Sequence, residues 1–114
     1  MIEKIIRDYL LANLSVPVYV DVPAEPPEKY VVIERTGGGE TEHIRSAMVA
    51  VQSYGASRYD AASLHESILV LLKNLKELDN ISASDLNAEY DYTDTTTNRY
   101  RYQAVFDIIY YNEV

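Results

Sequence analysis

The chain has 114 residues, of which 47% are apolar and 25% charged, enough to bury a core without staples and far from disordered or fibrous compositions. It contains no cysteine, which excludes a disulfide framework, a thiolate nucleophile and thiolate metal ligation, and points to the cytoplasm. Eighteen acidic against ten basic residues give a net charge of -8, a field that repels phosphate backbones and argues against tight nucleic-acid binding.

Ile2, Ile5, Ile6, Tyr9, Leu10 and Asn13 recur at three-and-four spacing and predict an opening amphipathic helix. Glu3, Lys4, Arg7 and Asp8 interrupt any signal-peptide or membrane-spanning run there. Val16, Val18, Val20 and Val22 then alternate with Pro17, Tyr19 and Asp21, a strand whose proline places it at a strand start or sheet edge. Pro23, Pro26 and Pro27 enforce a loop.

Tyr30 to Arg35 and Arg45 to Tyr54 read as strands, the second with Ala47, Val49 and Val51 on one face against Met48, Ala50 and Gln52 on the other. Between them Thr36-Gly37-Gly38-Gly39-Glu40-Thr41-Glu42 is expected to form a long, mobile hairpin tip. Ser57 and Asp60 stand at capping-box spacing and start a second helix. Its apolar stripe is Ala61, Leu64, Ile68, Leu71, Leu72, Leu75 and Leu78, with Lys73 and Lys76 near its end.

The last third is a hairpin in outline: Leu86, Ala88, Tyr90 and Tyr92 alternate in one strand, and Tyr100, Tyr102, Ala104, Phe106, Ile108 and Tyr110 in the other, around the polar Thr93 to Asn98. The expected order is α-β-β-β-α-β-β in a single domain spanning residues 1–114. This is an α+β fold of two layers, a mixed or antiparallel sheet packed against two helices.

The catalytic search is empty. His43 and His65 have no partner at ligand spacing, and His65 reads as a helix-flank residue. Gly37-Gly38-Gly39 lacks a following Gly-Lys-Ser/Thr and is followed by Glu40 and Glu42, so it is no phosphate loop. No serine stands in a nucleophile elbow, and the acid pairs Glu40/Glu42 and Asp91/Asp94 fall in polar loops. The expectation is therefore a protein that is not an enzyme, with no catalytic, cofactor-binding or metal residues.

Eleven tyrosines stand against one phenylalanine and no tryptophan, an aromatic choice that suits half-wet surfaces. In the last strand, Tyr100, Tyr102, Phe106, Ile108 and Tyr110 fall on one face, read first as a core face. Arg99, Arg101, Gln103 and Asp107 fall on the other. Aromatics beside Arg99 and Arg101 are also the ingredients of single-strand stacking, which the net charge opposes.

The element order, the run Tyr30-Val31-Val32-Ile33-Glu34-Arg35-Thr36-Gly37-Gly38, the later Ala50-Val51-Gln52-Ser53-Tyr54-Gly55-Ala56-Ser57 and the capped helix from Arg58 resemble small phage tail terminator proteins, also called tail completion, minor tail or neck proteins. The resemblance implies a protomer of a homo-oligomeric ring, six-fold, that caps the tail tube protein, ends its polymerisation and offers its other face to the neck or connector protein. It implies assembly in the host cytoplasm, a place at the tail–neck junction of the virion, and no membrane or tight nucleic-acid partner. Gly37, Gly38, Gly39, Glu40 and Glu42 are the candidate assembly loop. A neck or head-completion protein, or a non-enzymatic bacterial adaptor domain, are the alternative readings.

Overall fold

A computed structural model describes residues 1–111. Helix α1 (Ile2–Asn13) buries Ile2, Ile6, Tyr9 and Leu10, the stripe its periodicity requires. Asn13 is exposed and turns its side-chain amide back onto the Tyr9 carbonyl at 2.8 Å.

Strand β1 is only Val18–Tyr19, much shorter than the alternating valines predict. It pairs parallel with Val31 and Val32, and the Pro17 carbonyl accepts from the Val31 N–H at 2.9 Å. Proline has no N–H to extend a ladder on its own side, and the next prolines pull the chain off the sheet.

Strands β2 (Tyr30–Thr41) and β3 (Ile44–Gly55) form a long antiparallel hairpin. The chain then turns at Gly55 into α2 (Arg58–Lys73), whose Ser57 Oγ accepts from the Asp60 N–H at 3.1 Å, the cap that the sequence predicts. Here Gly55 is obligatory, because a Cβ at that position would lie 2.4 Å from the Ala61 nitrogen and 2.8 Å from the Asp60 carbonyl carbon. Helix α2 is shorter than its stripe: it ends at Lys73, and Leu75–Glu77 forms a 3-10 turn that still buries Leu75.

Strands β4 (Ile81–Asp91) and β5 (Tyr100–Tyr111) complete a five-stranded mixed sheet in the order β1-β2-β3-β5-β4. The molecule is a two-layer α+β fold with both helices on one face of the sheet. The core lies between them: Val31, Ile33, Val49, Val51, Phe106 and Ile108 from the sheet meet Ile6, Leu10, Ile68 and Leu72 from the helices. In β4 the single-face expectation fails. A bulge between Leu86 and Ala88 sends Leu86 to the core and Ala88 and Tyr90 to the opposite face.

Candidate interaction surface

With both helices on one face, the register fixes what the other face shows. Tyr30, Tyr54 and Arg101 form one cross-strand row, and Val32, Gln52, Gln103 and Tyr90 the next. Ala50 and Val105 follow, and the far end carries Ser46, Asp107 and Asp85 together with Met48, Ile109, Ile44 and Tyr111. These last four are 39%, 40%, 46% and 51% exposed, large apolar side chains that no element covers among the described residues.

The near end is polar and ordered. Tyr30 and Tyr54 stack with ring centroids 4.3 Å apart and planes 7° from parallel, and Tyr19 meets Tyr30 edge-on at 5.9 Å. Arg99 Nη1 donates to the Tyr30 hydroxyl at 2.8 Å, and Arg101 Nη1 donates to the Tyr54 hydroxyl at 3.0 Å. Arg101 Nε also donates to the Tyr92 carbonyl at 2.7 Å, and its guanidinium lies 4.4 Å from the centre of the Tyr92 ring. Gln52 Nε2 donates to Gln103 Oε1 at 2.8 Å, and Gln103 in turn donates to the Tyr90 hydroxyl. Burial pushes the Tyr30 phenol above the usual tyrosine range and Tyr54 adds to this, while Arg99 and Arg101 pull the other way.

The β4–β5 connection that carries Arg99 is set by aspartates. Asp91 Oδ1 accepts from the Thr93 hydroxyl at 2.6 Å and its N–H at 3.0 Å, and Asp94 Oδ1 accepts from the Thr96 N–H at 3.0 Å. These bonds hold both carboxyls below the ordinary aspartate range. Asp94 and Arg99 close the turn through reciprocal backbone bonds of 3.0 and 3.1 Å.

The glycines expected at a loop tip are strand residues. Gly37, Gly38 and Gly39 pair with Met48, Ala47 and Ser46, Glu40 pairs with Arg45, and only Glu42 with His43 lies in the turn. Two features extend the ladder. A bulge between Arg35 and Gly37 absorbs one residue, and the two-residue turn has Glu42 and His43 at φ 51° and 70°, the primed-turn sense that matches strand twist. Of the three glycines, Gly38 (φ 156°) alone is required, since a Cβ there would stand 2.4 Å from the Ser46 carbonyl oxygen and from the Arg35 guanidinium. Because β1 pairs only with Val31 and Val32, the edge of β2 from Ile33 onward has no strand partner among the described residues.

His65 is buried rather than flanking the helix: it is 2% exposed, its ring centre lies 5.2 Å from that of Tyr102, and its Nε2 meets Glu89 Oε1 at 3.0 Å. A histidine–carboxylate pair of this kind can move a proton, but the ring is closed off from solvent and no nucleophile hydroxyl bonds to it. His43 sits in the β2–β3 turn, distant in sequence register from both His65 and Glu89. Among the described residues no group of three or more His, Asp or Glu side chains is arranged to hold a metal ion, and no helix is long and apolar enough to cross a membrane.

Periodicity separates Arg101 and Gln103 from the core face of β5, with Arg99 in the turn just before it. It could not place them against Tyr30 and Tyr54, which are 69 and 47 residues from their arginine partners. No protein-family model and no curated protein matches the chain.

Proposed function

We propose that the chain is the protomer of a ring that caps a phage tail tube, ends tube polymerisation and joins the tail to the neck. The observation that carries this reading is the end of the sheet that no described element covers: Ile44, Met48, Ile109 and Tyr111 on one face, beside the β2 edge from Ile33 to Gly39, which has no strand partner among the described residues. A head-to-tail ring needs two different, complementary patches on each subunit. A sheet face with exposed large apolar side chains and a strand edge with no β partner among the described residues are surfaces of that type. The segment Gly37 to Glu42 is the assembly element, now as a β-ribbon whose glycines leave its backbone open to a neighbour. The net charge of -8 suits a ring through which DNA passes without adhering.

Co-expression with a tail tube protein, followed by electron microscopy, tests the proposal. Six-fold rings seated on tube ends are the expected outcome. Rings that bind a connector protein and ignore the tube would transfer the chain to the neck, and a monomer that forms no ring with either would leave the adaptor reading.

A further inference from the structure

The Tyr30–Tyr54 stack raises a question that the ring reading does not address. Its two hydroxyls are each capped by a guanidinium, so Arg99 and Arg101 converge on the same end of one aromatic pair. Lys4, Arg7, Lys29, Arg45 and Arg58 all sit at salt-bridge distance from carboxylates. Among the described residues Arg99 and Arg101, like Arg35, Lys73 and Lys76, make no such pair. Asp94 is within Coulombic range of Arg101, yet its Oδ1 accepts from the Thr96 N–H. Two like charges are thus fixed side by side by neutral oxygen acceptors, in a chain of net charge -8, with most of their N–H donors unused.

Next to this pair lies a cavity of about 310 Å³, lined by Pro26, Pro27, Tyr30, Tyr54, Thr97 and Arg99, with Glu28 as its single carboxylate. The Arg99 guanidinium, which lines the cavity, offers a planar fork that binds a carboxylate in bidentate fashion, Arg101 adds its charge from beside it, and the prolines and tyrosines offer an apolar wall of side-chain size. Their positions are set before any ligand arrives, which removes part of the ordering cost of binding. Glu28 and the overall negative field disfavour a polyphosphate and leave room for one carboxylate with an apolar neighbour.

We propose that Arg99 and Arg101, with the adjoining tyrosine–proline cavity, form a recognition site for a carboxylate side chain carried by an extended segment of a partner protein, with an apolar residue beside it. This site is separate from the apolar far end of the sheet and stands whether or not the chain forms rings.

The test is a titration of the full chain with a labelled Glu/Leu hexapeptide, its Gln/Leu counterpart, inorganic phosphate and a short oligothymidylate, read by anisotropy and by the arginine Nε resonances. The Glu/Leu peptide is expected to bind and to shift both Nε signals, and the Gln/Leu peptide to do neither. Arg99→Gln is expected to weaken binding by about tenfold or more, and Arg99→Lys to recover only part of the loss because it restores charge without the fork. Arg99 is the residue to change because Arg101 also ties down Tyr92, and near-ultraviolet dichroism of each variant verifies that the tyrosine stack persists. Equal binding of the neutral peptide, no binding of the acidic one, unchanged affinity in Arg99→Gln, or stronger binding of phosphate or oligothymidylate would each overturn the assignment.

Discussion

Replacing Gly55 by alanine tests whether the β3–α2 corner is as tight as its geometry indicates. The added methyl would lie 2.4 Å from the Ala61 nitrogen, 2.8 Å from the Asp60 carbonyl carbon and 2.9 Å from the Asp60 Cβ, and the two closest of these are backbone atoms that cannot rotate away. Relief requires the start of α2 to move outward. That movement breaks or stretches the Ser57 Oγ cap to the Asp60 N–H (3.1 Å) and the first helical bond from Ala61 N–H to the Ser57 carbonyl (3.0 Å). Each is worth about 1 kcal/mol, and the residual overpacking adds a comparable amount, so the expected loss is about 3 kcal/mol. Urea unfolding followed by far-ultraviolet dichroism measures it, with an unchanged slope showing that the denatured state is unaffected. Gly39→Ala is the control: the nearest atom to its new Cβ is Ser46 Oγ at 3.9 Å, ordinary contact, so it should be neutral or stabilise by about 0.5 kcal/mol through the unfolded chain. If the two variants had equal stability, the reasoning from close backbone approach would be refuted.

Leu72 is fully buried between α2 and the sheet, and Leu72→Ala should cost about 2 to 5 kcal/mol in the same melts. The β2–β3 turn holds two non-glycine residues at positive φ, so the double change Glu42→Asn, His43→Gly should stabilise the protein by about 1 kcal/mol; a loss of stability would show that these side chains are needed there. Asp91 and Asp94 have folded-state pKa values lowered by their bonds to Thr93 and Thr96. A depressed carboxyl adds stability that is present above its unfolded value, about 3.9, and is lost as pH falls through the lower folded value. Exchange of the Thr93 and Thr96 amides should therefore stay slow at neutral pH and accelerate, after correction for intrinsic rates, only below about pH 4. Acceleration already near pH 6 would contradict this.

The elements legible in the sequence are those whose determinants are local. The alternation of Ala47, Val49 and Val51 identified the core face of β3, and that of Ala104, Phe106 and Ile108 did the same for β5. Ser57 marked the start of α2 by its own hydrogen bond. What failed depended on partners distant in sequence. The glycine run pairs because β3 continues straight opposite it, itself held by β5, and nothing within Thr36 to Glu42 announces that. The bulge at Asn87 reverses the faces of β4 through one unpaired residue, which a period-two reading cannot anticipate. Likewise the leucine spacing puts His65 at the edge of the stripe, but the helix rolls so that His65 and Leu69 are buried with Ile68 and Leu72, while Leu64 and Leu71 are only partly covered. The tyrosine–arginine arrangement was legible in its ingredients and illegible in its assembly, because it joins three strands and a turn.

The strand order has a consequence for how the chain is made. The strand that lies between β3 and β4 is β5, which follows both in sequence. A chain emerging from the ribosome can close the β2–β3 hairpin and wind α2 early, since both are local. Until Tyr100 to Tyr111 arrive, however, β3 and β4 each present an unfilled edge, and Val49 and Val51 lack half of their sheet. The nascent protein therefore passes through an incomplete sheet whose missing member is β5, the interval in which a foreign strand could take that place.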